Sequence, residues 1–244
     1  MTGPATTPRL DSDLALVVVM LSTPPHRLAA LLAGDARTAA PWVIAAARWG
    51  LPAAQLRLGR MLLGGEGLAR DPAAALAWFC KAAEQGDTDA ANMVGRCLEH
   101  GWGAPADAAA AAVWYRRAAE AGEPWAQYNL GHLLLDGNGV RRDPAEAFAW
   151  YVRAAAQGHP RAMNLAGRCC EEGWGTSRDP AAAADWYRRS AEAGYFRGQH
   201  NHASVLAAEG RADEALGWFE RALAGAPAAS RPVIEAALAE VAPC

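Results

Sequence analysis

Tryptophan recurs at intervals of 36 residues through most of the chain, and this period limits the possible folds more than any single motif does. The series runs Trp42, Trp78, Trp114, Trp150 and Trp186. A Gly-x-Gly pair, an aspartate and a closing glycine recur with the same step. A fixed period of about 20 to 50 residues is typical of solenoids, in which each unit packs only on its neighbours. We therefore expect one continuous stack of repeats.

Each period contains the signals for two helices. The first helix, about Pro52 to Leu63, has apolar residues at helical spacing and ends before Gly65, which supplies the positive φ that stops a helix. Asp71 followed by proline is a typical start for the second helix, about Pro72 to Gln85. We expect Trp78 of this second helix to point inward as part of the core. Each repeat is thus predicted to be a helix hairpin.

A glycine also lies in the middle of each first helix, where it lowers helix stability by about 1 kcal/mol relative to alanine. These glycines are Gly59, Gly95, Gly131 and Gly167. Because the position recurs despite this cost, we expect that the missing side chain allows a neighbouring helix to approach closely.

The clearest copy of the pattern is Ala126 to Gly158, with Leu-Gly, Gly-x-Gly-Val, Asp-Pro, Trp-Tyr and Ala-Ala in order. On these motifs the chain resembles the Sel-one-like repeat family, relatives of tetratricopeptide repeats, over about residues 41–226. The resemblance implies an all-α fold, a right-handed α-solenoid of antiparallel helix hairpins. It also implies a non-enzymatic scaffold or adaptor that binds a partner segment on its concave face or loop rim.

The ends of the repeat region are less regular than its centre. We expect a disordered tail at 1–9, followed by N-terminal helices and a degenerate capping repeat at 10–51. Four full repeats fill 52–195, with bounds 52–87, 88–123, 124–159 and 160–195. A degenerate tetratricopeptide-like repeat at 196–227 and a C-terminal capping helix at 228–244 complete the chain as we expect it. A terminal helix of this kind can cover the open face of the last repeat.

An alternative function also comes from the resemblance. Some secreted bacterial members of the family have a disulfide in each repeat and have been linked to β-lactam binding. Here Cys97 and Cys169 share one helix position, but no second cysteine recurs as a partner. A ligand-binding or hydrolase member of that branch is therefore the second hypothesis, after the scaffold.

Charge and cysteine content argue against several classes of protein. A formal net charge of -3 has no polyanion-binding signature, so we expect no nucleic-acid partner. Five cysteines without a pairing scheme favour reduced thiols and a cytoplasmic location. The apolar run from Leu14 to Leu21 is too short to cross a bilayer, so we expect no membrane partner.

Two loop tryptophans stand out as candidate partner-binding residues. Trp102 and Trp174 replace Glu66 and Asn138 at the tip of the Gly-x-Gly loop, and the second and fourth repeats are more alike than the second and third. Recent duplication of a two-repeat block explains this without any function. Alternatively the indoles anchor a partner, because tryptophan is enriched at interface hot spots, or each indole folds back over its own loop.

A column of basic residues follows the mid-helix glycine: Arg60, Arg96, His132 and Arg168. If first helices line the inner surface, the column could receive an acidic peptide or a carboxylate terminus. The simpler interpretation, which we favour, is a solvated helix face with salt bridges to Glu99 or Glu171. Amides near the same surface could hydrogen-bond a peptide backbone, namely Asn92, Gln127, Asn129 and Asn164.

Catalytic and metal sites have little support in the sequence. His200 and His202 would point to different sides of a helix, and the adjacent Cys169 and Cys170 do not form a CxxC motif. The Gly-x-Gly loops follow helices rather than strands, which argues against nucleotide binding. We expect no cofactor, no metal and no enzyme activity, and a protein or peptide partner. The basic residues of the second helices are expected to be structural, namely Lys81, Arg117, Arg153 and Arg189.

Overall fold

The structure is a computed structural model that describes residues 34–241. The predicted disordered tail, the helices expected before residue 34 and the thiol of Cys244 lie outside these residues.

The described residues form twelve α-helices and one short 3₁₀ turn, and no strand occurs within that range. The helices are α1 Ala36–Arg48, α2 Pro52–Gly64, α3 Pro72–Glu84, α4 Thr88–His100, α5 Ala108–Glu120, α6 Pro124–Asp136, α7 Pro144–Ala156, α8 Pro160–Glu172, α9 Pro180–Glu192, α10 Phe196–Ala208, α11 Ala212–Gly225 and α12 Arg231–Val241, with the 3₁₀ turn at Ala228–Ser230. Consecutive helices pack on one another from α1 to α4 and from α6 to α12. The predicted all-α solenoid of helix hairpins is confirmed, and its right-handed sense stays a prediction.

The helix boundaries follow the repeated turn residues. Asp71 caps α3 by accepting a hydrogen bond from the Ala74 amide at 2.9 Å, and Asp143 caps α7 in the same way from Glu146. The first helices end at glycines with φ between 72° and 76°, namely Gly65, Gly101, Gly137 and Gly173. The roles predicted for the Asp-Pro start and the helix-ending glycine are therefore confirmed.

The second glycine of each loop has a role that the sequence did not indicate. Gly103 has a φ of +83°, and a Cβ there would overlap the carbonyl group of Pro72, at the start of the preceding repeat's second helix. Gly175 meets Pro144 in the same manner. The glycine is therefore needed for packing between repeats as well as for the turn.

The mid-helix glycines do provide the predicted close approach. A Cβ on Gly59 would overlap the ring of Phe79, and Gly131 and Gly167 face Tyr151 and Tyr187 in the same way. In each case the aromatic ring of the second helix packs against the bare backbone of the first helix.

The core aromatic position is one residue later than predicted. The fully buried rings follow the periodic tryptophans, and they are Phe79, Tyr115, Tyr151, Tyr187 and Phe219. Trp150 is also buried, but Trp78 and Trp186 are only half-buried, so the prediction that the tryptophan column forms the core holds in part.

The tryptophans of the second helices also explain the basic residues that follow them. Lys81, Arg153 and Arg189 lie 4.2, 4.5 and 4.2 Å from the indole centroids three residues before them. A cation over an indole face is stabilising. This geometry agrees with the structural role expected for these residues.

The chain divides into two compact units with the boundary between Trp114 and Tyr115, inside α5. Each unit contains a hydrogen-bonded glutamine pair that links successive repeats. In the first unit, Gln55 donates to the carbonyl of Ala47 and accepts from Gln85 at 2.8 Å. In the second unit, α12 packs on α11, and its Ile234 is buried in the last hydrophobic cluster.

Candidate functional site

A groove of about 420 Å³ lies in the second unit, where the first helices α6, α8 and α10 face the start of α12. We call it the tyrosine groove, because three of the chain's five tyrosines line it. The residues on which its chemistry depends are Tyr128, Tyr187, Tyr195, Arg161, Arg168, Arg197, Glu171, Asn164, Asn201 and His200. Apolar side chains of α12, including Val233 and Ile234, complete the lining.

The groove is positively charged. Three guanidinium groups line it, and Glu171 is the only carboxylate among its described lining residues. That carboxylate already accepts a hydrogen bond from the Tyr187 hydroxyl at 2.6 Å. The arginines are therefore the charged groups with which an incoming ligand would interact.

The first arginine of the groove is positioned by aromatic rings. The Arg161 guanidinium lies 5.3 Å from the ring centroid of Trp125 and 5.7 Å from that of Tyr195. Such contacts restrict a long, exposed side chain without neutralising its charge. Burial raises the pKa of Tyr128 and Tyr187 above the usual tyrosine range, so both hydroxyls stay neutral at physiological pH.

A row of polar side chains connects α8 and α10 within the groove. Asn201 donates from its amide nitrogen to the Asn164 oxygen at 2.9 Å. Its own amide oxygen lies 3.3 Å from His200 Nδ1. His200 Nε2 is buried and has no hydrogen-bond partner among the described residues.

A histidine replaces the acidic cap at the start of α8. His159 Nδ1 accepts from the Ala162 amide at 3.1 Å, as Asp87 accepts from Ala90 at the start of α4. Its ring packs edge-on against Trp125, with centroids 4.4 Å apart. Burial, assisted by the nearby charge of Arg161, lowers the His159 pKa to about 4. The cap is therefore neutral at physiological pH.

The two loop tryptophans are half-buried. Trp102 lies beneath Arg96 of its own repeat, with the guanidinium carbon 5.4 Å from the ring centroid, and Trp174 lies beneath Arg168 at 5.0 Å. Each indole thus contacts its own repeat and also lines a cleft with the loop of the preceding repeat. Their role as partner anchors stays a prediction.

The basic column does not form one uniform stripe. Arg60 is exposed and lies 3.5 Å from Asp89, while Arg96 lies over an indole. His132 packs against Tyr128, with ring centroids 4.7 Å apart. Of the four residues, His132 and Arg168 line the tyrosine groove, whereas Arg60 and Arg96 belong to the first unit.

The predicted amides also divide into different roles. Asn164 lines the groove, while Asn92 is buried in α4 of the first unit and Asn129 is half-buried on α6. Gln127 donates to the Ala119 carbonyl and accepts from Gln157. Gln127 therefore serves packing between repeats and is not available for a peptide backbone.

Sequence reasoning missed the arginines at the entry of the groove. Arg161 and Arg197 occupy the same position of successive repeats, but the two preceding repeats have Asp89 and Trp125 there. A comparison limited to α8 and α10, the first helices of the last two repeats, would have found the pair. The groove tyrosines gave no comparable signal, because they come from unrelated positions of the repeat.

The described residues contain no group of three or more metal-ligating side chains and no helix long and apolar enough to span a bilayer. Cys80, Cys97, Cys169 and Cys170 are free thiols. Burial raises the pKa of Cys97 to about 11 and that of Cys169 to about 12, so both are protonated. These two cysteines behave as small apolar residues of the packed helices.

Comparison with known proteins adds a family to this geometry. A family model described as Sel1 repeat matches residues 52–87, 88–123, 126–159 and 160–195. A solved Sel1 repeat protein from Oxalobacter formigenes is 30% identical, with a TM-score of 0.75, over 81% of this chain and 82% of that one. No curated protein matches the chain.

Two further solved structures share the architecture. One is c5321, described as a protective antigen present in uropathogenic Escherichia coli strains displaying an SLR fold; it is 28% identical, with a TM-score of 0.75 over 94% of this chain. The match spans only 48% of c5321. Immunity protein Pa5087 from Pseudomonas aeruginosa is 17% identical with a TM-score of 0.53, over 70% of this chain and 65% of that one, and shows the fold alone.

Proposed function

Since the chain belongs to the Sel1 repeat family, whose members are generally protein-interaction scaffolds, we propose that it is a non-enzymatic scaffold that captures an acidic partner segment. The tyrosine groove of the second unit is the proposed site of capture. Arg161, Arg168 and Arg197 are the residues that would hold the carboxylates of the segment.

The observation that supports this proposal most directly is the charge of the groove. Three guanidinium groups face a single carboxylate, and that carboxylate is engaged by a tyrosine hydroxyl. Arginine binds carboxylates through paired, charge-assisted hydrogen bonds. An acidic segment is therefore the best electrostatic complement, because it supplies the negative charge that the groove lacks.

The shape and the remaining side chains of the groove suit a short peptide. Its volume of about 420 Å³ lies within the range of known ligand pockets. Tyr128 and Tyr195 offer rigid aromatic surfaces, and Asn164 and His200 offer polar atoms that could pair with a peptide backbone. Tyrosine and arginine are also enriched at protein interfaces.

We also propose a cytoplasmic location. The four free thiols among the described residues support it, because disulfides predominate in oxidising compartments. Fractionation of the native host, with a marker for each compartment, tests this part separately.

The groove can be tested through its tyrosine signals, because the chain contains only five tyrosines. The full chain would be labelled with carbon-13 on its tyrosine rings and titrated with the peptide acetyl-Glu-Asp-Leu-Glu-Asp. We expect the signals of Tyr128 and Tyr195 to move with peptide concentration. Those of Tyr115 and Tyr151, which do not line the groove, should stay fixed.

Two double variants complete the design. Arg161→Ala/Arg197→Ala should weaken the tyrosine response at least about tenfold, because two charged contacts are lost. Arg188→Ala/Arg211→Ala removes two exposed arginines of the same unit that lie outside the groove and should change the midpoint less than about twofold. Equal responses to acetyl-Lys-Lys-Leu-Lys-Lys, or no movement up to about 5 mM acidic peptide, would contradict the proposal.

A further inference from the structure

Each loop tryptophan lines a cleft, and the two clefts are equivalent copies. The first, of about 360 Å³, lies in the first unit and is lined by Arg60, Leu63, Gly64, Arg70 and Trp102. The second, of about 530 Å³, lies in the second unit and includes His132, Leu135, Asp136, Arg142 and Trp174. Each of these five positions in the second cleft lies two repeat periods after its counterpart in the first. We call them the rim clefts.

Each rim cleft is assembled from two successive repeats. The tryptophan comes from the loop of the later repeat, and the arginine opposite it comes from the loop of the earlier one. The glycine after each tryptophan packs on the earlier repeat, since Gly103 meets Pro72 and Gly175 meets Pro144. This contact fixes the loop that contains the indole.

The loop arginines are held in position while their charge stays accessible. Arg70 Nε donates to the carbonyl of Leu63 at 3.1 Å, and Arg142 Nε donates to that of Leu135 at 2.9 Å. The terminal guanidinium nitrogens of both arginines have no hydrogen-bond partner within residues 34–241. An oriented guanidinium with accessible terminal donors is suited to bind a carboxylate.

The apolar part of each cleft includes an indole that lies beneath an arginine of its own repeat. Arg96 covers Trp102 and Arg168 covers Trp174, which holds each indole beside a leucine of the preceding repeat. The only lining carboxylate among the described residues is Asp136 of the second cleft, although the exposed Glu66 lies close to Gly64 of the first. The complementary ligand has an apolar side chain with carboxylates next to it.

The arginine and the tryptophan also occur together in the sequence. Arg70 belongs to the repeat before that of Trp102, and Arg142 precedes Trp174 by the same interval. Between the second and third repeats, Ala106 stands where the arginine would be and Asn138 stands where the tryptophan would be. Both partners are therefore replaced together. Duplication of a two-repeat block accounts for the copying, but the block copied contains a complete cleft.

We propose that the two rim clefts are two copies of one binding site, each of which takes a short acidic segment with an apolar side chain. This inference rests on the proposed scaffold function. It adds two binding sites to the tyrosine groove and names the loop arginines as contact residues.

The test follows the indole N–H signals of the nitrogen-15-labelled full chain during titration with acetyl-Glu-Asp-Leu-Glu-Asp amide. Trp102→Asn and Trp174→Asn assign the two relevant signals, and asparagine is the residue that the third repeat has at this position. We expect both signals to move with midpoints within about threefold of each other, because both clefts have the same leucine, loop arginine and tryptophan. The exposed Trp49, which lines neither rim cleft nor the tyrosine groove, should not respond.

Variants of the loop arginines test each cleft separately. Arg70→Ala should weaken the response of Trp102 at least about fivefold and leave that of Trp174 unchanged, because only one charged contact is lost. Arg142→Ala should weaken the response of Trp174 and leave that of Trp102 unchanged. Alanine is the residue that the second repeat has at this position, Ala106. Arg178→Ala is the matched control, because Arg178 makes the same backbone hydrogen bond in the fourth repeat but lines neither cleft.

Several results would overturn the inference. These are no movement of either indole up to about 5 mM peptide, movement of only one, or an equal response to the lysine peptide. A stronger response to single-stranded oligodeoxythymidine than to the acidic peptide would assign the clefts to nucleic acid instead. Failure of the tyrosine groove is distinguishable from failure of the rim clefts. Arg161→Ala/Arg197→Ala should weaken the tyrosine response at least about tenfold and leave the movement of the Trp102 indole intact.

Discussion

The Cβ atom that Gly167 lacks would lie 2.7 Å from two ring carbons of Tyr187. Real Cβ atoms essentially never come so close to another heavy atom, so the packing of α8 against α9 requires glycine at this position. The same relationship holds for Gly59 with Phe79, in the first unit.

We therefore expect Gly167→Ala to lower the free energy of unfolding by about 1–2 kcal/mol. Overpacking a core typically costs about 1–3 kcal/mol, and alanine recovers up to about 1 kcal/mol of helix propensity. Gly217→Ala is the control, because Gly217 lies in mid-helix with no atom near its missing side chain. It should raise stability. Urea unfolding of both variants measures the difference, and a stabilised Gly167→Ala would contradict the packing argument.

The second glycine of the loop should be more sensitive than the glycine that ends a second helix. Gly103 and Gly86 both have positive φ, but only Gly103 faces backbone atoms of another repeat. Gly86→Ala should cost about 1 kcal/mol through backbone strain, and Gly103→Ala clearly more. Thermal unfolding of the two variants side by side checks the order. Equal losses would mean that the contact with Pro72 is unimportant.

Two equivalent tyrosines should respond in opposite ways to removal of the hydroxyl. The Tyr151 hydroxyl is buried without a hydrogen-bond partner among the described residues, whereas that of Tyr187 donates to Glu171. An unpaired buried hydroxyl costs about 1–3 kcal/mol. Tyr151→Phe should therefore leave stability unchanged or raise it, and Tyr187→Phe should lower it by on the order of 1 kcal/mol. Chemical unfolding measures both, and a destabilised Tyr151→Phe would indicate a partner such as a buried water.

The neutral histidine cap of α8 makes stability depend on pH. The His159 pKa is about 4 in the folded chain, below its ordinary value of 6.5. Between these values the unfolded chain binds a proton that the folded chain does not, so the free energy of unfolding falls as pH decreases from about 6.5 to about 4. The loss from this residue is on the order of 3 kcal/mol and is absent above pH 7.

His159→Asp separates this effect from other titrations. Aspartate caps α4 at the equivalent position, so the variant retains the acceptor and loses the histidine. Burial also lowers the pKa of His202, whose contribution has the same sign and is common to both proteins. Urea unfolding between pH 7.5 and 4.5 should show a flatter profile for the variant. Parallel profiles would mean that His159 does not titrate as described.

Much of the fold could be predicted because the repeat signals are local. Aspartate caps, helix-ending glycines and the 36-residue period depend on residues close in sequence, and the structure has them where expected. The core aromatic position was wrong by one residue. Trp78 and Phe79 are both apolar and adjacent, and periodicity alone does not distinguish a buried ring from one that lies at the core edge beneath a lysine.

The candidate site was less predictable because it depends on residues that depart from the repeat. His132 and Arg168 were identified as members of the basic column and Asn164 as an amide near the same surface. The structure brings all three into one groove. Arg161, Arg197 and Tyr195 were missed, because each occupies a position where other repeats have a different residue. Arg70 and Arg142 were missed for another reason. Their importance depends on a tryptophan in the following repeat, and that proximity exists only after the repeats have packed.

The rim clefts have a consequence for how proteins of this kind can lengthen. Each cleft takes its arginine from one repeat and its tryptophan from the next, so a pair of consecutive repeats is the smallest inheritable block that contains both. A gene that gains one two-repeat block encodes a protein with one more rim cleft, whereas a gene that gains a single repeat encodes a longer protein with no further cleft. A protein with an odd number of added repeats would therefore have the same number of rim clefts as a protein with one repeat fewer.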